Sequence, residues 1–290
     1  WEATLNGAPL RYIDLHIHST FSDGTMTPAA LLRAAKEADL SAIALTDHDT
    51  MAGLDEAESA GALTGIEVIP GVELSANRNG KTVHILGYGL DRNNPDLLTL
   101  LAEVQEIRHH RNMRILEKLA ERGIDIDREE LFAGNPGLIG RPHIARLLVK
   151  KKVVGSIEQA FRRYLKKNGL AYVAPERFAA AKAIETIKKA GGLAVLAHPA
   201  TFDKSPGKVA ENVEFLHDHG LDGIEGIYPG HTSKISKRLF ALAEKHDLLI
   251  TGGSDFHGTV KQGINIGGAP VMPPVPYELL EKLKARLRNY

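Results

Sequence analysis

Two histidines and an aspartate alternate along Asp14-Leu15-His16-Ile17-His18, and Ser22-Asp23-Gly24 follows within a few residues. Imidazoles two positions apart on a strand leave the same face, about 7 Å apart along the chain, and can grip a divalent metal ion. A pair of surface histidines on an edge strand would look the same, so the remaining sequence has to decide. The chain holds 13 histidines in 290 residues, and several recur beside acids: His48 in Thr46-Asp47-His48-Asp49, His257 in Ser254-Asp255-Phe256-His257, with Glu73, His84 and His198 between them. Cysteine is absent, which excludes disulfides, thiolate nucleophiles and sulfur-ligated zinc or iron–sulfur sites. Any metal must therefore sit on nitrogen and oxygen. The candidate ligands His16, His18, Asp23, His48, Glu73, His84, His198, Asp255 and His257 outnumber the roughly three protein ligands of a single catalytic zinc. Two or three ions sharing a bridging carboxylate suit them better, and such sites clamp the attacking and leaving oxygens of a phosphoryl group.

These residues need elements to carry them. Ile13, Leu15 and Ile17 alternate with Asp14, His16 and His18, which predicts a buried strand over 12–17 with the three polar side chains on one face. Thr27-Pro28 has the form of a helix N-cap and first position, opening a helix through Leu31, Leu32, Ala35 and Ala38. Strands are predicted over 41–45, 67–72, 82–89, 193–197, 223–227 and 248–251, with helices over 53–60, 211–219, 233–246 and 277–287. Strand, helix and strand in succession mark parallel βαβ units. Apart from Asp23, just past the first strand, and His84, inside its own, the candidate ligands fall at carboxyl ends of strands, where parallel barrels build their catalytic face.

Between residues 95 and 177 the strand pattern gives way to helices. Residues 96–122 are apolar at Leu97, Leu101, Val104, Ile115 and Leu119 before Gly123, and Asp127 with Glu130 and Ser156 with Gln159 have capping-box spacing. This reads as an inserted helical subdomain over 96–177, set into a barrel of residues 10–95 and 178–275, with a C-terminal helix over 276–290 packed on the barrel. Lysine plus arginine balance aspartate plus glutamate over the whole chain, which argues against wholesale nucleic-acid coating or membrane adsorption. The insertion, however, carries 16 basic against 11 acidic residues. A cationic cap over an acidic metal site suits a phosphorylated substrate, the alternative being a solvated helix face. No apolar run approaches the about 18 residues of a membrane helix. Residues 1–9 do not read as a signal peptide, and a chain opening on Trp1 allows for a segment removed ahead of it.

Taken in order, Asp14-Leu-His-Ile-His-Ser with Ser-Asp23-Gly, Thr-Asp-His48-Asp, Gly-Val-Glu73, Val-His84-Ile-Leu-Gly-Tyr, Ala-His198-Pro and Gly-Gly-Ser-Asp255-Phe-His257 resemble the motifs of the polymerase and histidinol phosphatase (PHP) family. The resemblance runs from about residue 12 to 258. It implies a distorted seven-stranded (β/α)7 barrel with a trinuclear metal site. It would place one ion on His16, His18, Glu73 and Asp255, a second on Glu73, His84 and His198 with Glu73 bridging, and a third on Asp23, His48 and His257. Such mixed ligands suit Mn²⁺, the expected ion, with Fe²⁺ or Zn²⁺ as alternatives. The implied reaction is in-line attack on phosphorus by metal-activated hydroxide, with no covalent enzyme intermediate. Within the family the pattern is most similar to small phosphoesterases that remove the 3'-phosphate of nucleoside 3',5'-bisphosphates or trim short single-stranded RNA from its 5' end.

Beyond the ligands, Asp14 is expected to orient a ligand imidazole, or else to hold backbone. Arg141 and His143, at a helix start in the insertion, are candidate substrate contacts, since guanidinium and a helix N-terminus both favour phosphate; helix capping is the alternative. His231, after the sixth strand, is a candidate proton donor to the leaving oxygen or ligand of a second phosphate. His109 and His110, among Arg108, Arg111 and Arg114, read as a solvated helix face. His217, His219 and His246 sit at helix ends, where imidazolium suits the dipole. The sequence thus predicts a cytoplasmic, metal-dependent phosphoesterase acting on a small nucleotide. A histidinol-phosphate phosphatase, a non-catalytic PHP scaffold and a metal-dependent amide or ring hydrolase are the rival readings.

Overall fold

A computed structural model describes residues 10–133 and 137–289. The expectations for residues 1–9, and the parts of the 96–177 and 276–290 ranges at 134–136 and 290, lie outside the described residues. Eight strands form one sheet: β1 (Tyr12–Ile17), β2 (Leu40–Leu45), β3 (Glu67–Arg78), β4 (Lys81–Tyr88), β5 (Leu193–Leu196), β6 (Gly223–Ile227), β7 (Leu249–Gly252) and β8 (Val275–Pro276). Their spatial order is β7-β6-β5-β4-β3-β2-β1-β8. The seven expected strands are β1 to β7; the eighth is a two-residue strip antiparallel to β1. The sheet curls until β1 meets the chain just past β7, where the His18 N–H donates to Phe256 O at 3.0 Å. The barrel is nearly closed, as expected of this type.

The strands are not all parallel. β3 and β4 form an antiparallel hairpin, and β4 is antiparallel to β5 as well. Reversal of β4 explains how His84, in the first half of its strand, reaches the site: Ser75 pairs with His84, so the start of β4 lies at the same end as the carboxyl ends of its neighbours. β3 runs on past the expected end at residue 72, which leaves Glu73 inside that strand.

Around the sheet lie α1 (Pro28–Glu37), α2 (Leu54–Thr64), α7 (Ala180–Lys189), α9 (Pro206–Asp218) and α10 (Ser233–Lys245), with the short α8 (Pro199–Phe202) after β5. Thr27 caps α1 as its sequence predicts, accepting from the Ala30 N–H at 3.2 Å. The barrel interior is filled by Ile13, Leu15, Ala42, Ala44, Leu86, Tyr88, Val195 and Leu249. Leu280 and Leu283 of α11 (Glu278–Arg288) join that cluster. Each fully buried isoleucine, leucine or valine among them contributes about 1.5–3 kcal/mol.

One expectation about β1 is corrected. Its register shifts between Asp14 and Ile17. Ile13 and Leu15 consequently pack in the interior, whereas Ile17 packs with Leu31 and Leu54 of the flanking helices. Period-two alternation breaks at this irregularity, and Asp14 does not share a face with His16 and His18.

The segment between β4 and α7 is helical: α3 (Pro95–Ala120), α4 (Arg128–Phe132), α5 (Arg141–Lys150), α6 (Ile157–Ala160) and a π-helical turn at Phe161–Leu165. Ile115, Leu119, Ile144, Leu148, Tyr164 and Val173 form a hydrophobic cluster of their own. Hydrogen bonds join these helices to the barrel at the site end: Leu138 N–H to Phe21 O at 2.8 Å, and Gln105 Nε2 to Asp49 O at 3.1 Å. No helix among the described residues is long and apolar enough to cross a membrane.

Candidate metal centre and adjoining cavity

Close backbone packing carries the ligands to one point. Asp47, at the end of β2, accepts the Ser19 N–H (2.7 Å) and the hydroxyls of Ser19 and Ser22 (both 2.6 Å), which shapes the loop bearing Asp23. That loop turns tightly enough that a Cβ on Gly24 would sit 2.3 Å from His18 O. Gly253 is similarly constrained, since a Cβ there would lie 2.4 Å from that of His16. Asp49, His198 and Asp255 adopt positive φ angles of 52°, 28° and 52°. Strained backbone of this kind persists where surrounding contacts over-determine it.

Glu73 lies at the middle of the result. Its Oε2 is 3.3 Å from His16 Nε2, 3.2 Å from His18 Nε2 and 2.9 Å from His48 Nδ1. Its Oε1 is 2.8 Å from His84 Nδ1 and 3.1 Å from His198 Nε2. Asp255 Oδ1 lies 3.2 Å from His18 Nε2, and Asp23 Oδ1 lies 3.1 Å from His257 Nε2. Three groups have ligand atoms all within 4.8 Å of one another: His16, His18, Glu73 and Asp255; His18, Asp23, His48 and His257; and His48, Glu73 and His84. All nine candidate ligands thus converge, with His198 reaching Glu73 from the side of His84.

The donor set fits divalent ions. His16 Nε2, both ring nitrogens of His18, Asp23 Oδ1, His48 Nδ1 and Glu73 Oε2 are buried without an aligned hydrogen bond among the described residues. Buried polar atoms left unsatisfied are costly, and here they point at one another, as lone pairs around a cation do. Burial pushes the Glu73, Asp23 and Asp255 carboxyls up, but neighbouring charges outweigh it and hold all three well below the carboxylate range: imidazoles for Glu73 and Asp23, Lys261 and imidazoles for Asp255. Burial, with His257 and His48 adding to it, pulls His18 down to about 4. Burial also brings His84 to about 4, despite the opposing charge of Glu73. Burial also pulls on His16 and His48, but the charges of Glu225, Glu73 and Asp255 raise His16 well above the imidazole range, and those of Glu73 and Asp23 raise His48 to about 9; a metal ion would displace the protons of these two rings, while His18 and His84 are already neutral.

Glu225 is a site residue the sequence reading missed. It is wholly buried on β6; Oε1 lies 2.9 Å from His16 Nδ1, and Oε2 accepts the His198 N–H at 2.7 Å. A lone acid in the apolar strand Gly-Ile-Glu-Gly-Ile was the available signal. Glu225 takes the part expected of Asp14. The Asp14 carboxylate instead accepts backbone N–H groups of His16 (3.2 Å), Ser254 (2.9 Å) and Gly267 (2.8 Å), tying β1 to the closing seam. Burial raises Asp14 to about 6, with those hydrogen bonds opposing. Tyr228 and Lys261 were also missed: the Tyr228 hydroxyl donates to Asp255 Oδ2 at 3.1 Å, and the Lys261 ammonium pairs with the same oxygen.

Beside the ligands opens a cavity of about 120 Å³, bordered by Asp23, His48 and His84 and by four arginines, Arg108, Arg111, Arg141 and Arg177. Arg141 stands where a substrate contact was expected. Arg108 and Arg111 were not expected at the site: their face of α3 turns toward it, and Arg108 pairs with the fully buried Asp49 and donates to Ser75 Oγ at 2.8 Å. His110, by contrast, is exposed beside Glu106. His143 does not border this cavity. Its Nδ1 accepts the Gly140 N–H at 3.1 Å, so it caps α5, and its position faces a separate depression with Glu130 and Arg146. His231 is also outside the arginine cavity, its ring 5.1 Å from that of Tyr228 and its Nε2 buried without a partner among the described residues.

Comparison with known proteins agrees with this geometry. A 5'-3' exoribonuclease of Haemophilus influenzae is 38% identical over 90% of this chain and 97% of its own length. A 3',5'-nucleoside bisphosphate phosphatase of Chromobacterium violaceum is 35% identical over 95% of this chain and 97% of its own. A solved structure from Bifidobacterium adolescentis, described as a metal-dependent phosphoesterase, superposes with a TM-score of 0.85 at 31% identity, covering 96% of this chain and 97% of the other. Residues 14–190 match the model of the PHP domain, and with the ordered ligand motifs brought to one end of the barrel, the chain belongs to the PHP domain family.

Proposed function

We propose that this enzyme, a metal-dependent phosphoesterase, hydrolyses a phosphomonoester of a small nucleotide, converting a nucleoside 3',5'-bisphosphate to the 5'-monophosphate and phosphate, and that it also trims short single-stranded RNA from the 5' end. The observation that carries the reading is the position of Glu73, whose two oxygens face two different sets of imidazoles. The activities of the two relatives supply the substrate class.

Three ions, manganese by preference, are proposed: one on His16, His18, Glu73 and Asp255, one on Glu73, His84 and His198, and one on Asp23, His48 and His257, with His48 standing between the second and third sets. Bound there, divalent ions supply Lewis acidity toward phosphoryl oxygens and a water acidic enough to attack at neutral pH. Glu225 fixes the His16 ring, and Tyr228 with Lys261 fixes the outer oxygen of Asp255. Arg141 neutralises substrate charge from the insertion side. His231, beside Tyr228, is proposed on the leaving-group side.

Residues 96–177 serve in this reading as a substrate cap on the barrel of residues 10–95 and 178–275, with 276–290 packed beneath. The reaction is assigned to the cytoplasm. An amine-bearing substrate such as histidinol phosphate is disfavoured by the four arginines at the cavity. Phosphate release from adenosine 3',5'-bisphosphate with Mn²⁺ tests the proposal, and turnover no greater than that of His16→Ala would refute it.

A further inference from the structure

The three sets of candidate ligands are not supported by the same part of the molecule. Behind the first set stand barrel groups: Glu225 on His16, and Tyr228 and Lys261 on Asp255. Glu225 and Thr201 serve His198 of the second set, the latter at 2.9 Å from its Nδ1. Two of the residues proposed for the third ion, Asp23 and His48, lie on segments that the helical insertion grips as well.

The first of these segments is the loop after β1. Asp47 anchors it from the barrel at Ser19 and Ser22. On its outer side the Leu138 N–H donates to Phe21 O at 2.8 Å, and Gly137 passes so close that a Cβ there would lie 2.0 Å from the same oxygen. Arg146 of α5 directs Nη1 to Asp23 O at 3.3 Å. The guanidinium thereby takes the backbone oxygen and leaves the Asp23 carboxylate to face His257 at 3.1 Å. The second segment follows β2, where His48 precedes Asp49, a residue held at a φ of 52°. α3 grips Asp49 twice, Gln105 donating to its carbonyl at 3.1 Å and Arg108 pairing with its carboxylate. A strained backbone of this kind persists only while its contacts over-determine it. Without them the imidazole beside it loses its aim.

We propose that the helical insertion completes the site of the third ion, with Arg146 and Gln105 as positioning residues that hold Asp23 and His48 for it. Docking of the insertion and occupancy of that ion are then linked, each favouring the other by the same free energy. The inference rests on the three-ion reading above and gives the insertion a structural part in the metal centre besides its part as a substrate cap.

The test counts ions. Chelator-treated protein is titrated calorimetrically with Mn²⁺, and bound metal is measured by elemental analysis. Arg146→Ala and, separately, Gln105→Ala are expected to weaken one ion by about tenfold or more, the usual cost of losing a group behind a metal ligand, and to leave the others unchanged. Arg146→Lys, which keeps a cationic donor, should recover most of the loss. In Asp23→Ala the weakened ion is already gone, so adding Arg146→Ala should cost no further metal affinity. Hydrogen exchange gives a readout on the wild-type chain: Mn²⁺ should slow the amides of residues 20–24 and 141–150, and the slowing at 141–150 should vanish in Asp23→Ala. Wild-type metal affinity in both Arg146→Ala and Gln105→Ala, or exchange at 141–150 indifferent to Mn²⁺, overturns the inference, while loss of an ion from Asp23→Ala keeps the three-ion reading. Undiminished metal content in Asp23→Ala refutes that reading, and the inference falls with it.

Discussion

His16 and Glu225, 209 positions apart in the chain, meet at 2.9 Å between Nδ1 and Oε1, both wholly buried. The contact leaves the other ring nitrogen, Nε2, directed at Glu73 and Asp255. A carboxylate behind a ligand imidazole fixes its tautomer and raises its basicity.

Glu225→Gln keeps the shape and removes the charge. It is expected to weaken manganese binding about 10- to 100-fold while the fold remains cooperative. Calorimetric titration of the chelator-treated protein with Mn²⁺ measures this, and an unchanged affinity would contradict the role given to Glu225.

Asp23 and His16 belong to different groups of potential ligands. His16→Ala should lose the ion it shares with His18, Glu73 and Asp255, and most activity. Asp23→Ala should spare that ion and lose the one it shares with His48 and His257. Elemental analysis by mass spectrometry, with competition between the variants for limiting Mn²⁺, separates the two. Identical metal loss from both would contradict the assignment.

Metal removal should also lower stability, because the convergent lone pairs and carboxylates are then left without a cation. A site saturated at about 100 times its dissociation constant contributes about 2.7 kcal/mol. Chelation is expected to lower the melting temperature and abolish turnover, with both restored by Mn²⁺. A melting temperature indifferent to metal would argue against occupancy by the folded state.

His143, which is not itself a candidate ligand, supplies a further pH dependence. Burial, followed by the charge of Arg146, lowers it from 6.5 to about 4. Protonation therefore favours the unfolded chain: the stabilising contribution is complete above pH 6.5 and declines as pH falls toward about 4, by up to about 1.4 kcal/mol per pH unit. His143→Gln retains an acceptor for the Gly140 N–H, as at the third position of a capping box, and does not titrate. Denaturant unfolding between pH 7 and 4 should show a shallower loss of stability in the variant, and parallel curves would contradict the shift.

Much of this protein is readable in local chemistry. The strands carrying His16, His18, His48 and Asp255 announce themselves by short apolar runs ending in ligand-type residues, because strand propensity and strand-end placement are local properties. Thr27-Pro28 marks a helix start for the same reason. The candidate ligands, the absence of sulfur chemistry and the helical character of the insertion all follow from residue types and spacing. Which residues support the ligands does not, because that depends on partners distant in sequence. A register shift in β1 turns Asp14 away from His16, and β6 brings Glu225 in its place. Reversal of β4 delivers His84 to the site from within a strand. The rotation of α3 about its axis decides that Arg108 and Arg111 face the cavity while His110 faces solvent, a choice that a helix polar on several sides leaves to tertiary packing.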